Sequence, residues 1–206
     1  MNLGDGHREA ATRHLLAAEP CLSAVVQSVG PYVLEIEPDG FTALARSIVS
    51  QQISTSAART IWGRLNARVG VMTPGQLVTL SDEDFRLAGL SSQKVKYLRD
   101  LAGKTAAGTV DFRRIEEMSD EAVVEHVVQV NGIGVWTAHM FLIFSLGRPD
   151  VFPWGDLGVR TALKRLYRLK ALPERAKCER LAKPWRPHAS AAAWYLWRSL
   201  DLPEKG

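Results

Sequence analysis

Val130-Asn131-Gly132-Ile133-Gly134-Val135-Trp136-Thr137-Ala138 is the stretch on which the fold turns. Upstream of it, Val123, Val124, Val127 and Val128 recur at helical spacing behind Ser119, a residue suited to cap a helix start. Downstream, Val135 to Leu146 is mostly apolar and Gly147 closes it. The two helices are therefore joined by a short connection with two glycines, which makes a sharp hairpin. Gly132 and Gly134 are both expected to take backbone angles closed to other residues and to leave their N–H groups uncovered. The second helix starts at the hairpin, so its unpaired amides and positive dipole end point toward an approaching anion such as a phosphate. An ordinary tight helix–helix turn would read the same way, so the hairpin alone does not decide function.

Outward from the hairpin the same spacing continues. Pro20 and Gly30 bracket a short helix, Cys21 to Val29. Phe41, Leu44, Ala45, Ile48 and Val49 mark the apolar face of another, followed by a polar break, Ser50-Gln51-Gln52, and a helix from Ser54 to about Arg68. Thr73-Pro74 and the pair Ser81 and Asp84 start two more, and Ser91 or Ser92 caps one running through Val95, Leu98 and Leu101. Beyond the loop Arg148 to Gly155, Asp156 stands where a helix Leu157 to Leu169 begins, and a last helix covers about Ala189 to Leu200. Only Tyr32 to Ile36 has strand-like character. The fold class is all-α.

Composition narrows the function classes. A chain of 206 residues that is 46% hydrophobic can bury a real core, which excludes disorder. The net charge of +4 favours an anionic partner, nucleic acid or an acidic surface. Cys21 and Cys178 are too few to ligate an iron–sulfur cluster or a four-cysteine zinc site. No apolar run reaches the roughly twenty residues of a membrane span, and the start of the chain, with Asp5, His7, Arg8 and Glu9, lacks a signal peptide's apolar centre. The expectation is a cytoplasmic protein, nucleoid-associated in a bacterium.

The hairpin is followed by Asp150-Val151-Phe152-Pro153-Trp154-Gly155-Asp156-Leu157-Gly158-Val159, and Ser50-Gln51-Gln52-Ile53-Ser54 lies upstream. Taken together, these segments resemble the helix-hairpin-helix-Gly/Pro-Asp DNA glycosylases, and within them the 3-methyladenine DNA glycosylase II (AlkA-like) group. The resemblance runs from about residue 40 to 200. It implies a bilobal helical fold with a DNA-binding cleft between two lobes: 36–147, carrying the hairpin, and a second lobe made by 1–35 with 148–206. It also makes Asp156, 22 positions beyond Gly134, the catalytic carboxylate. Breaking an N-glycosidic bond develops positive charge on the sugar, which a carboxylate can stabilise, or it can help water attack. A helix N-cap explains an Asp at this place equally well, and the two roles can coexist. Bifunctional relatives carry a Schiff-base-forming Lys where Trp136 stands here, so the resemblance implies a monofunctional enzyme that leaves an abasic site.

A glycosylase extrudes its target nucleotide into a pocket that aromatic walls suit. The candidates are Trp136, Trp154 and Trp197, with Met140 one turn beyond Trp136 where relatives often place an aromatic residue. Each of these is also an ordinary core residue by composition, as are Trp194 and Tyr195. Gln52 or Ile53 is expected to fill the gap that flipping leaves, while Gln51 fits a wedge or a structural role. Gly132, Gly134, Val135, Trp136 and Thr137 are the expected backbone contacts to DNA, joined by Lys94 and Lys96 of the segment Gly89-Leu90-Ser91-Ser92-Gln93-Lys94-Val95-Lys96, which resembles a basic segment of the family. In relatives the hairpin carbonyls hold a structural monovalent cation, which maps to Val128, Val130 and Ile133.

The expected activity is excision of alkylated purines from double-stranded DNA, without a cofactor, by a monomer with no membrane association. Two alternatives stay open on the residues alone: a noncatalytic DNA-binding module that uses the hairpin only to grip phosphates, and a glycosylase for oxidised or mismatched bases. A membrane-surface role ranks last, because no strongly basic amphipathic segment is present.

Overall fold

The computed structural model describes residues 5–203; the outermost parts of the expected second lobe, 1–4 and 204–206, lie outside the described residues. The chain divides into two compact units, Glu37–Phe141 and the chain up to Ile36 together with everything from Leu142 onward. Among the described residues no strand forms. Tyr32 to Ile36 is irregular, with a single bridge-type pairing at Glu35.

The unit Glu37–Phe141 contains α3 (Gly40–Ser50), α4 (Thr55–Val69), α5 (Pro74–Thr79), α6 (Asp82–Ala88), α7 (Ser92–Ala106), α8 (Asp120–Val127) and most of α9 (Val135–Phe144). Polar caps set most of the boundaries. Asp39, Ser54, Thr73, Ser81, Ser91 and Ser119 each accept an N–H of the first turn that follows, and Ser81 with Asp84 closes a full capping box. The buried face of α3 is Phe41, Leu44, Ala45, Ile48 and Val49, the residues that its spacing singled out. It meets Leu98 and Leu101 of the buried face of α7 in one core, and each such Leu or Ile contributes about 1.5–3 kcal/mol by leaving water.

The other unit is built from α1 (Asp5–Ala18), α2 (Pro20–Val29), α10 (Leu157–Leu166), α11 (Arg175–Ala182) and α12 (Ala189–Ser199). Its centre is α12, whose Ala-rich stretch lets α2 and α10 pack close to it. Tyr195 is fully buried there, its hydroxyl donating to the Gly30 carbonyl at 3.0 Å. Helices α1 and α11 carry too few large apolar residues to announce themselves by periodicity; α11 buries only Cys178 and Ala182.

Two helices end earlier than their apolar runs predict. After Phe144 the chain closes through Gly147 at φ +63°, with the Arg148 N–H on the Leu142 carbonyl at 2.9 Å, so Ser145 and Leu146 belong to the closing turn. Helix α10 stops before Tyr167 because Arg168 adopts φ +49°, which a right-handed helix cannot continue.

Candidate active site

Asp156 is the N-cap of α10, and its Oδ1 accepts the Val159 N–H at 2.8 Å. The same oxygen accepts the indole Nε1–H of Trp197, from the last turn of α12, also at 2.8 Å. Only 9% of the residue is exposed. Two N–H donors suit an ionised carboxylate, which only accepts, and the positive end of α10 adds to the same field. The helix cap and the candidate carboxylate are therefore the same side chain.

The loop Arg148 to Gly155, which delivers Asp156, is riveted to the start of α12. Ser190 Oγ donates to the Arg148 carbonyl at 2.6 Å and accepts the Val151 N–H at 3.0 Å. Asp150 accepts the Ala189 N–H at 3.2 Å and pairs with Arg186 at 2.7 Å. It thus supplies the cap that His188, at the N-cap position, does not provide from its own side chain. Phe152 is buried edge-on against Trp185. Spacing shows neither of these roles of Ser190 and Asp150, because their partners lie some 39 residues away.

Of the aromatic candidates in this unit, Trp197 is half-buried, turns its N–H to Asp156 and lies tilted against Phe144 at 5.6 Å. Trp154 carries the Arg175 guanidinium on its ring at 4.7 Å. One face of Trp154 is therefore already taken, and as a base-stacking wall it would have only the other.

In the unit Glu37–Phe141 the hairpin and the polar break come together. Gln51 is the C-cap of α3, and its Nε2 donates to the Gly132 carbonyl at 2.8 Å, which is a structural use of this side chain. Gln52 sits at φ +56°, a left-handed conformation that costs a non-glycine residue about 1–2 kcal/mol. Ile53 is 37% exposed. Together with Trp136 and Thr137, Gln51, Gln52 and Gly132 line an open depression of about 510 Å³.

The two glycines differ, contrary to the expectation that both need special backbone angles. Gly132 lies at φ +83°, and a β-carbon there would run into the Tyr97 ring. Gly134 is absent from the left-handed region and has nothing within 4 Å of its β-carbon position. Neither the backbone angle nor a close neighbour therefore requires a glycine at this position. Ile133 between them is buried and anchors the hairpin, whereas Val135 and Trp136 are about half exposed. Thr137 is buried, and Met140 is half-buried on the same helix.

Helix α7 supports the hairpin from one face. Tyr97, Asp100 and Lys104 follow at i, i+3 and i+7. Asp100 Oδ2 accepts the Asn131 N–H at 2.7 Å and Lys104 Nζ at 2.8 Å, and Lys104 also donates to the Gln129 carbonyl. Burial pushes the Asp100 carboxyl upward, but the hydrogen bonds from Lys104 and Asn131 outweigh it and hold the group below its ordinary range. The spacing of this strip is visible in the sequence, but the apolar face of the same helix, Leu98, Leu101 and Ala102, is the stronger signal.

Lys94 has a partner inside the protein for one of its three N–H donors. Its Nζ donates to the Val49 carbonyl at 2.7 Å, closing the C-terminal end of α3, and burial lowers its pKa. Lys96 is exposed. Of the carbonyls assigned to a cation, that of Val130 accepts the Ile133 N–H at 3.0 Å, which leaves a second lone pair for an ion beside those of Val128 and Ile133. Carbonyl oxygens of this kind suit a hard cation. Among the described residues, no group of three or more His, Cys, Asp or Glu side chains is placed to hold a metal. No helix there is long and apolar enough to cross a membrane.

Residues 45–187 match the HhH-GPD superfamily of base excision DNA repair proteins. The Schizosaccharomyces pombe protein named DNA-3-methyladenine glycosylase 1 is 33% identical over 203 residues, which span 93% of this chain and 87% of that protein. The solved structure of Schizosaccharomyces pombe 3-methyladenine DNA glycosylase in complex with abasic DNA is similar at a TM-score of 0.85 and 32% identity, covering 94% of this chain and 97% of that one. A DNA-3-methyladenine glycosidase structure from Bacillus halodurans is similar at a TM-score of 0.82 and 35% identity, covering 92% and 88%.

Proposed function

The chain belongs to the HhH-GPD superfamily of base excision DNA repair proteins, and from that premise we propose that it is a monofunctional DNA-3-methyladenine glycosylase. It hydrolyses the N-glycosidic bond of a flipped-out alkylated purine and leaves an abasic site, which starts base excision repair. The C1′–N bond breaks, the base departs with the electron pair, and water adds its oxygen to C1′ while losing a proton. An N3- or N7-alkylated purine carries positive charge, so its bond is already weakened and the enzyme need supply less.

The observation that carries this reading is the held carboxylate of Asp156, whose Oδ1 is fixed by two N–H donors at 2.8 Å. A carboxylate fixed in this way meets the positive charge developing on the sugar without having to reorganise. Trp136 replaces the amine that a bifunctional lyase needs, so no imine forms and the strand is not cut. An indole face attracts a cationic base by about 0.5–2 kcal/mol, which supports Trp136 as an aromatic contact. Gly134, Val135 and the N–H groups that follow take the DNA phosphate, with Lys96 adding charge. Gln52 or Ile53 fills the vacated stack. A monovalent cation at the carbonyls of Val128, Val130 and Ile133 would add positive charge beside a phosphate; no cofactor takes part in the chemistry. The partner is duplex DNA with a damaged base, bound by a monomer, and the compartment is the one that holds the DNA.

The test is base release from duplexes that each carry one lesion, with and without later alkali. Asp156→Asn should bind abasic DNA as the parent does and release no base. Full excision by the folded variant would refute the assignment, and strand breaks without alkali would refute monofunctionality.

A further inference from the structure

Gly158 is the second residue of α10, a place where glycine brings no conformational benefit. Its φ lies outside the left-handed region, and in an ordinary helical turn alanine is the more stable choice. Space explains it instead. A β-carbon at Gly158 would stand 3.0 Å from Trp197 Cδ1, 3.1 Å from Asp156 Oδ1 and 3.3 Å from Trp197 Nε1. These are the donor's neighbour, the acceptor and the donor in the 2.8 Å hydrogen bond between Trp197 and Asp156.

We propose that Gly158 is a positioning residue of the carboxylate: the absent side chain lets the Trp197 indole N–H reach Asp156 Oδ1, and any β-carbon there drives the two apart. The inference rests on the reading of Asp156 as the catalytic group. Each partner is restrained on its other side. Asp156 Oδ1 also holds the Val159 N–H, and Trp197 lies against Phe144 at 5.6 Å. A few tenths of an ångström demanded by a β-carbon therefore fall on the hydrogen bond between them, and the carboxylate shifts relative to the Val159 N–H. Small displacements of a catalytic group are costly to rate and nearly silent in binding. Trp197, by the same geometry, acts on the reaction through Asp156 whether or not its ring also meets the base.

Single-turnover excision of 3-methyladenine or 7-methylguanine separates this effect from general structural damage. Gly158→Ala is expected to slow the chemical step roughly tenfold, with affinity for abasic DNA and melting temperature near the parent's. Trp197→Phe, which removes the N–H but keeps a ring, should lose a comparable factor. Adding Gly158→Ala to Trp197→Phe should then cost less than about twofold more, because the bond it disturbs is already gone. A parental rate for Gly158→Ala or for Trp197→Phe overturns the proposal. So does a full second loss in the double variant, or a loss that follows melting temperature. Asp156→Asn run alongside distinguishes the two failures: if it still excises, the reading of Asp156 falls; if it is inactive while Gly158→Ala is at full rate, only the role of Gly158 falls.

Discussion

The Gln51 amide nitrogen donates to the Gly132 carbonyl at 2.8 Å, across 81 positions of sequence. The loop after α3 and the helix-hairpin-helix turn are thereby one mechanical piece, with Lys94 fixing the end of α3 beside it through the Val49 carbonyl. Gln51 thus has a structural task distinct from that of its neighbours. Gln51→Ala should cost about 1 kcal/mol, roughly fivefold in affinity for abasic duplex. Ile53→Ala should leave affinity for undamaged DNA and melting temperature near the parent's and reduce base flipping. Fluorescence anisotropy and the emission of 2-aminopurine placed beside the lesion read the two effects separately.

The hairpin glycines should respond in opposite ways. Gly132→Ala forces a side chain into a left-handed backbone and into the Tyr97 ring, and is expected to destabilise by about 2 kcal/mol or more. Gly134→Ala meets only open space, so its melting temperature should stay within a degree or two of the parent's while DNA affinity falls. Equal thermal losses in both variants would contradict this division.

Asp100 makes the hairpin sensitive to acid. Its folded carboxyl lies below the ordinary value, so the stabilisation it provides is complete above the unfolded-state pKa near 4 and is lost as pH falls through the folded value. Denaturant midpoints measured from pH 7 to pH 3 should fall less steeply for Asp100→Asn than for the parent. At pH 7 that variant should be about 1–2 kcal/mol less stable, since Lys104 keeps only a neutral partner.

Ser190 holds the segment that carries Asp156. Ser190→Ala strips partners from the Arg148 carbonyl and the Val151 N–H, and a loss of about 1–3 kcal/mol is expected. Base release should fall with it, since Asp156 hangs from the far end of this loop, while a fragment of the surface such as Lys96 should still contribute to the salt dependence of binding as before. Calorimetry and single-turnover excision check the two parts, and parental values in both would show that the loop needs no such anchor.

How much was legible follows from how far apart the partners lie. The buried face of α3, the capping box at Ser81 and the helix beginning after Asp156 all depend on residues three or four apart, and periodicity displays such relations directly. The hairpin was legible for the same reason. Helices α1 and α11 were not, because weak or short apolar faces leave no periodic trace. Gly134 and Gly132 look alike in the sequence, which shows that a side chain is missing but not whether angle or space requires it. Lys94 looked like a solvent-facing cation because its acceptor, Val49, lies 45 residues earlier.

By itself the sequence determined that the protein is helical, where a glycine hairpin interrupts the helices, and that a carboxylate stands at a helix start beyond it. Tertiary structure alone decided which groups hold that carboxylate and that hairpin: Trp197 on Asp156, Gln51 on Gly132, Asp100 on Asn131, and Ser190 on the loop between. The reason is physical. Helical spacing fixes which side chains share a face, whereas hydrogen bonds between distant segments depend on which faces pack together and how closely, and a residue such as Gly158 sets that distance by what it lacks.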